Sequence, residues 1–183
     1  MAAPAGGSIL SHFWAPLCAI GSHGERGPNA QICVSVFGAS IVPERPRLLV
    51  VLSNTNYTTG LVAASGTMAI TVLSSAQANL LEPLGLHSGR DRRKLDQVEH
   101  EITALSDPVF PGGAGQLSAK VLRDFPLGDS TAFVVAIQDR VEHGLEPLTW
   151  QAAKDVVGGD FLARWAEKSS REQEAARRAM LWH

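Results

Sequence analysis

Residues 29–75 read NAQICVSVFGASIVPERPRLLVVLSNTNYTTGLVAASGTMAITVLSS. Three apolar, β-branched runs lie in this stretch, at residues 32–41, 48–52 and 68–73. Each run has the length of a strand and is bounded by Pro, Gly, Asn or Ser. A polar turn at 53–59 and a short helical segment at 60–64 separate the second run from the third. The pattern therefore predicts strand, turn, short helix and strand, in that order.

The polar turn supports two interpretations. The first N–H groups of a helix have no partner within the helix, so a helix that starts after hydroxyl and amide side chains is a ready anion site. The same side chains, Thr55, Asn56 or Thr58, are also common helix N-caps, each stabilising a helix by roughly 1 kcal/mol. The local sequence leaves both interpretations open.

Composition narrows the class of protein. The chain has 183 residues, which suits one domain with its own core, and its net charge of −2 gives no general attraction to nucleic acid or to a membrane. No apolar run approaches the roughly 20 residues of a membrane helix, and residues 1–10 lack the basic start of a secretory signal. We expect a cytoplasmic protein in which Cys18 and Cys33 are buried, reduced thiols; a bridge between neighbouring strands is the alternative.

The rest of the chain adds further strands and helices. Residues 117–122 alternate between apolar and polar except at Leu122, which indicates a half-buried antiparallel strand. Residues 160–183 change character: Asp160 can cap a helix whose apolar face includes Phe161 and Trp165. The other expected elements are a disordered N-terminus at 1–10, strands at 17–22, 102–105 and 131–141, a hairpin turn at 23–28 and a helix at 74–84.

A basic cluster at Arg90, Arg92, Arg93 and Lys94 is the densest in the sequence. It is either a solvated surface turn or a phosphate clamp, in which Arg offers a bidentate fork and Lys a mobile point charge. The six histidines show no i, i+4 pair, and no CxxC, HExxH, GxSxG or Walker motif is present, so we predict no metal site and no nucleophile–base constellation.

The order of these parts resembles the flavin reductase-like, FMN-binding split-barrel family over roughly residues 13–150. The segments that carry the resemblance are Cys33-Val34-Ser35, the Pro turn at 43–46, Asn56-Tyr57-Thr58-Thr59, the strand after Ser65-Gly66, and SGRDRRK at 88–94. The resemblance implies a mainly β fold, a six-stranded antiparallel split β-barrel of Greek-key type with flanking helices. The domain would span residues 11–157, with a C-terminal helix at 158–183 outside the family core.

The family also implies a function, an NAD(P)H:flavin oxidoreductase that binds FMN and passes hydride from nicotinamide to flavin. No side chain would act as a catalytic acid or base. The partners implied are NAD(P)H, flavin, a second copy of the chain in a homodimer, and a monooxygenase that takes the reduced flavin. NADH against NADPH, and FMN against FAD or a deazaflavin, stay open. The site residues implied are Thr58, Thr59, Arg90 and Lys94 at the phosphate, Cys33, Val34 and Ser35 at the isoalloxazine, and Ser53, Asn54 and Asn56 along the ring or ribityl chain.

One residue departs from the family pattern. Ser130, in Gly128-Asp129-Ser130, stands where the family usually has a histidine near the nicotinamide side of the flavin. This weakens the assignment as a reductase and favours, as the alternative, an FMN-binding or electron-transfer module without reductase activity. A barrel that mediates interactions without a cofactor is the third hypothesis.

Overall fold

A computed structural model describes residues 13–14 and 16–180. The expected disorder at 1–10 and the last residues of the expected C-terminal helix therefore lie outside the described residues. Within the part of the chain that the structure describes, no helix is both long and apolar enough to cross a bilayer.

The fold is a curled antiparallel sheet of seven strands in the order β2-β1-β5-β8-β9-β4-β3. The split-barrel fold predicted from the sequence is confirmed, with one strand more than the expected six. The seven strands of this sheet are β1 (Cys18–Gly24), β2 (Gly27–Cys33), β3 (Val36–Gly38), β4 (Arg47–Ser53), β5 (Thr67–Val72), β8 (Gly115–Pro126) and β9 (Ser130–Glu142).

The additional strand arises at Val34 and Ser35. The predicted single strand at 32–41 divides there into β2 and β3, and β3 ends at Gly38. Because β2 and β3 are the two ends of the strand order, a link of only two residues forces the sheet to curl until its edges meet. The N–H of Val51 in β4 donates to the Ser35 carbonyl at 2.9 Å, which ties the two edges together.

The bulge in β8 explains the irregular alternation at Leu122. The register between β8 and β9 shifts between Val121 and Arg123, so Leu122 has no partner in β9 and its side chain is exposed. Two residues on one strand opposite one on the next is the usual form of a β-bulge. The predicted strands at 117–122 and 131–141 are thus the central parts of the longer β8 and β9.

The helices and the minor hairpin lie around this sheet. The predicted helix at 74–84 is a 3₁₀ turn at Ser75–Leu80 followed by a π turn at Glu82–Leu86, and the expected strand at 102–105 is the hairpin of β6 (Glu101–Ile102) and β7 (Pro108–Val109). After β9 the chain makes one isolated bridge, between Pro147 and Ser74, and then Thr149 accepts a bond from the Ala152 N–H and begins a helix. The helices are α1 (Tyr57–Ser65), α2 (Trp150–Val156) and α3 (Gly159–Arg177).

Two apolar clusters hold the fold together. The first fills the barrel interior and includes Ile20, Met68, Ile70 and Phe133, all fully buried. The second lies outside the barrel, where β1 and β2 meet the turns at 75–86 and the two C-terminal helices. Burial of a large apolar side chain stabilises the fold by about 1.5–3 kcal/mol, and the second cluster holds α2 and α3 on the barrel through Ala153 and Phe161.

Candidate functional site

A cleft of about 240 Å³ opens beside the N-terminus of α1. Its walls are the end of β2, the turn that leads into α1, the loop at 84–94 and one face of α3. It therefore lies where the barrel domain meets the C-terminal helix.

The N-terminus of α1 presents unpaired donors to this cleft. Asn56 occupies the N-cap position, but its side chain makes no capping bond. Thr58 is buried, and its Oγ1 accepts a bond of 2.7 Å from Nδ2 of the buried Asn29 in β2. The Thr58 hydroxyl proton is then left to donate, beside backbone N–H groups that have no partner within the helix.

The basic loop is fixed against this helix by close contacts. A Cβ on Gly89 would lie 2.6 Å from the Tyr57 ring and would also meet Asn29, so only glycine allows this approach. Nη1 of Arg90 donates to the Thr55 carbonyl at 2.6 Å, and its guanidinium lies 6.0 Å from the centre of the Tyr57 ring. The hydroxyl-bearing turn and the basic loop therefore form one wall.

Lys94 is the most unusual group in the cleft. Its side chain is buried, and its Nζ donates to the Leu84 carbonyl at 3.1 Å, which uses one of three N–H bonds. Burial, with further repulsion from Lys168 and Arg92 and an opposing effect of Glu172, lowers the pKa of Lys94 to about 7. An anion in the cleft would restore the charged form.

Gln31 of β2 is the second incompletely satisfied group. It is buried and lines the same cleft, and its Oε1 has no hydrogen-bond partner among the described residues. A buried, unpaired acceptor costs about 1–3 kcal/mol, so a ligand with a polar hydrogen is favoured at this point.

The opposite wall comes from α3 and the loop before Lys94. Trp165, Lys168, Ser169 and Glu172 lie on one helical face and line the cleft. His87 also lines it, and burial, with nearby Arg92 and Arg164, lowers the pKa of its imidazole. The His87 ring is therefore mainly neutral at pH 7, and the cations available for an anion are arginine and lysine.

The structure brings together four of the predicted site residues. Asn56, Thr58, Arg90 and Lys94 all line the cleft. The hypothesis that the hydroxyl-bearing turn and the basic loop bind one phosphate requires Thr58 and Lys94 to line the same cleft.

The other predicted residues lie around the cleft or away from it. Thr59 donates to the Ser53 carbonyl at 2.6 Å, and Asn54 joins the turn to Gly128 and Thr131. The Cys33 side chain lies in the barrel interior, where burial raises the pKa of its thiol to about 11. Val34 and Ser35 form the link between β2 and β3. These six residues remain predictions as flavin contacts.

Both cysteines are free and buried, as expected, and face each other across β1 and β2. Of the other two residues of the basic cluster, Arg93 donates to the Arg26 carbonyl and Arg92 is exposed.

Sequence reasoning missed Asn29, Gln31, His87, Lys168 and Glu172. Asn29 and Gln31 alternate along β2, and this polar alternation in an otherwise apolar strand is a signal that was present in the sequence. Lys168 and Glu172 have i, i+4 spacing, but nothing in the sequence says which element that face of the helix contacts.

Comparison with known proteins finds one matching protein family. Residues 10–156 match the family described as flavin reductase like domain. No curated protein sequence is significantly similar to this chain.

Several solved structures share the fold. The NADH:FAD oxidoreductase of Streptomyces globisporus superposes with a TM-score of 0.69 at 18% identity, over 76% of this chain and 82% of that chain. An FMN-binding protein from Thermus thermophilus gives 0.66 at 22% identity, over 78% of each chain. Nitrilotriacetate monooxygenase component B from Mycobacterium thermoresistibile gives 0.65 at 18% identity, over 74% and 73%. At these identities the likeness concerns the fold.

Proposed function

The chain belongs to the flavin reductase-like family, and we propose that it is an FMN-binding NAD(P)H:flavin oxidoreductase. The observation that carries the proposal is the cleft, which is lined together by the N-terminus of a helix, by the buried Lys94 and by Gln31, whose Oε1 has no partner among the described residues. These groups fit a phosphorylated ring compound, which carries both an anion and polar N–H or O–H groups.

The residues of the cleft have separate tasks in this proposal. Lys94, Arg90 and the Thr58 hydroxyl would hold the phosphate at the N-terminus of α1. Gln31 Oε1 would accept a hydrogen bond from the ribityl chain or the ring. Bound flavin supplies the redox chemistry, as an acceptor of hydride from nicotinamide, while the protein binds it and keeps one face of its ring open.

A second copy of the chain completes the proposed assembly. On the outer face of the sheet, Phe37, Leu49, Val134 and Phe125 project on the same side as one another, as the strand register requires. Helix α1 packs on β1, β2 and β5 instead, and Phe37 and Phe125 are 38% and 51% exposed. An apolar patch of this kind, which the same register borders with Arg47 and Arg123, supports a homodimer.

Light scattering after size-exclusion chromatography tests the homodimer. Phe125→Glu is expected to shift a dimeric mass to a monomeric one, because it removes a large apolar side chain from the contact and places a charge there. Val141→Glu, at an exposed position near the far end of β9, is the control. A monomeric wild type, or a dimer unaffected by Phe125→Glu, contradicts the assembly.

A visible spectrum and a reductant test the main proposal. After FMN addition and dialysis, the purified protein should retain a flavin band, and mixing with NADH or NADPH should bleach it rapidly. Arg90→Ala should weaken FMN binding by about tenfold, since it removes a charge-assisted contact, whereas Arg93→Ala should not, because Arg93 bonds Arg26 outside the cleft. A protein that retains no flavin refutes the proposal.

Ser130 favours one alternative function, an FMN-binding or electron-transfer module without reductase activity. Its Oγ donates to Asp129 at 3.1 Å, and Ser130 pairs with Ser53 at the end of β4 next to the turn that leads into the cleft. Flavin that binds but is not bleached by either nicotinamide would support this alternative. Delivery of reduced flavin to a monooxygenase is a further step that only the reductase could perform.

A further inference from the structure

Helix α3 lies beyond residues 10–156, the part of the chain that matches the family, and yet it forms a wall of the cleft. Three contacts dock it there. Trp165 packs so closely on Gly85 that any side chain at Gly85 would clash with the ring, Arg164 binds Glu82 at 2.8 Å, and Phe161 is buried in the outer apolar cluster. These three contacts therefore fix the position of α3 beside the cleft.

The face of α3 that lines the cleft carries a cation, Lys168, that is paired with a carboxylate on the same helix. Lys168 Nζ is bonded to Glu172 one turn later, and its side chain is 23% exposed, less than that of any other cation in an ion pair along α3. Both residues line the cleft together with Lys94. Repulsion from Lys168 lowers the pKa of Lys94, and attraction to Glu172 raises it.

We propose that α3 completes a phosphate-monoester subsite, in which Lys168 exchanges Glu172 for the phosphate that Lys94 binds. Gln31, whose buried Oε1 has no partner among the described residues, lines the same cleft and independently favours a ligand there. This inference rests on the proposed function, because it assigns α3 to the phosphate end of the same site. Glu172 is then a competitor of the ligand, and its charge sets how tightly a phosphate is held.

The exchange predicts opposite effects from neighbouring substitutions. Lys168→Ala should raise the Kd for FMN by about tenfold or more, the usual effect of losing a charge-assisted bond, and Lys168→Arg should restore much of the affinity. Glu172→Gln should lower the Kd for FMN, because no carboxylate then competes with the phosphate for Lys168. The matched control is Glu167→Gln, which breaks the similar i, i+4 pair with Arg171 on the exposed face of α3.

Riboflavin separates a phosphate contact from simple packing. It lacks the phosphate, so its Kd should change less than twofold in Lys168→Ala and in Glu172→Gln. If Lys168→Ala weakens FMN and riboflavin equally, or weakens neither FMN nor NADPH, or if Glu172→Gln behaves like Glu167→Gln, the inference is overturned. The shared chemistry is a phosphate monoester, which the flavin or the 2′-phosphate of NADPH supplies; an increased KM for NADPH but not for NADH, with Kd for FMN unchanged, assigns it to the nicotinamide cofactor.

Inorganic phosphate tests the subsite without any flavin. Phosphate should raise the thermal-unfolding midpoint of the wild type, and Lys168→Ala should reduce that rise by more than half. A wild type whose midpoint does not respond overturns the inference, whether or not flavin binds. A protein that binds neither FMN nor riboflavin, but responds to phosphate through Lys168, refutes the proposed function and leaves the subsite supported.

Discussion

The barrel interior and the cleft beside α1 bury side chains of opposite character. The interior packs Ile20, Met68, Ile70 and Phe133 against one another with no need of a polar partner. The cleft buries Lys94 and Gln31, each with fewer hydrogen bonds than it can make. The packing of the interior stabilises the fold. In the cleft of the free protein, buried polar groups with unmade hydrogen bonds are destabilising, and a bound ligand can offset this.

Both regions also contain titratable groups that burial drives to their neutral forms. In the interior, burial raises the pKa of the Cys33 thiol to about 11 and also raises that of Cys18. In the cleft, burial lowers the pKa of Lys94 to about 7. The physical cause is the same, but only Lys94 is left near neutrality, where an anion can change its charge.

Removal of a large interior side chain should have the largest effect. Phe133→Ala is expected to lower the free energy of unfolding by about 3–5 kcal/mol, because Phe133 is fully buried and its loss leaves a cavity. Val141→Ala on the same strand, at a half-exposed position, should change it by less than about 0.5 kcal/mol. Chemical denaturation measures both, and similar losses for the two variants would contradict the assignment of the interior as the stabilising core.

Replacement of the buried lysine should change stability in the other direction, and only at some pH values. The ordinary pKa of lysine is 10.5, so between about pH 7 and pH 10.5 the unfolded chain holds a proton on Lys94 that the folded chain lacks. The wild type should therefore gain stability as pH rises through this window. Lys94→Met should lack that gain and should be more stable than the wild type at pH 6, by on the order of 1–4 kcal/mol.

Urea denaturation at pH 6, 8 and 10 measures this difference. The charged groups around Lys94 are Arg92, Lys168 and Glu172, and Arg92→Ala serves as a control that leaves Lys94 buried. Parallel pH profiles for the wild type and Lys94→Met would show that the lysine is not a source of instability in the cleft.

The smallest expected effect concerns the thiols, and it is a change in their reaction rate and not in the free energy of unfolding. A thiol-specific reagent at pH 8 should react slowly with the native protein and quickly in denaturant, since both cysteines are buried and protonated. The two thiols lie opposite each other on β1 and β2, so the number of thiols that react in denaturant also reports whether a disulfide has formed. Fast reaction in the native state would show that the interior opens readily.

Much of the barrel was predictable from local patterns. The runs at 48–52, 117–122 and 131–141 lie within β4, β8 and β9, and the run at 68–73 overlaps β5, because β-branched runs of strand length and apolar alternation are both local signals. The break at Val34 and Ser35 was not predictable, because a continuous apolar run does not show where the chain passes from one edge of the sheet to the other. The same holds for the helix that begins at Trp150, where packing against the outer cluster decides the structure.

The candidate site was predictable in its parts but not in its extent. By itself, the sequence determined that a hydroxyl-rich helix start and a basic loop exist, because N-cap chemistry and charge are local properties. Only the tertiary structure decided that Asn29, Gln31 and the Lys168–Glu172 pair join them, and that Lys94 is buried instead of solvated. Burial and the partner of a charge depend on residues far away in the chain, and these determine whether a lysine is a surface charge or a ligand.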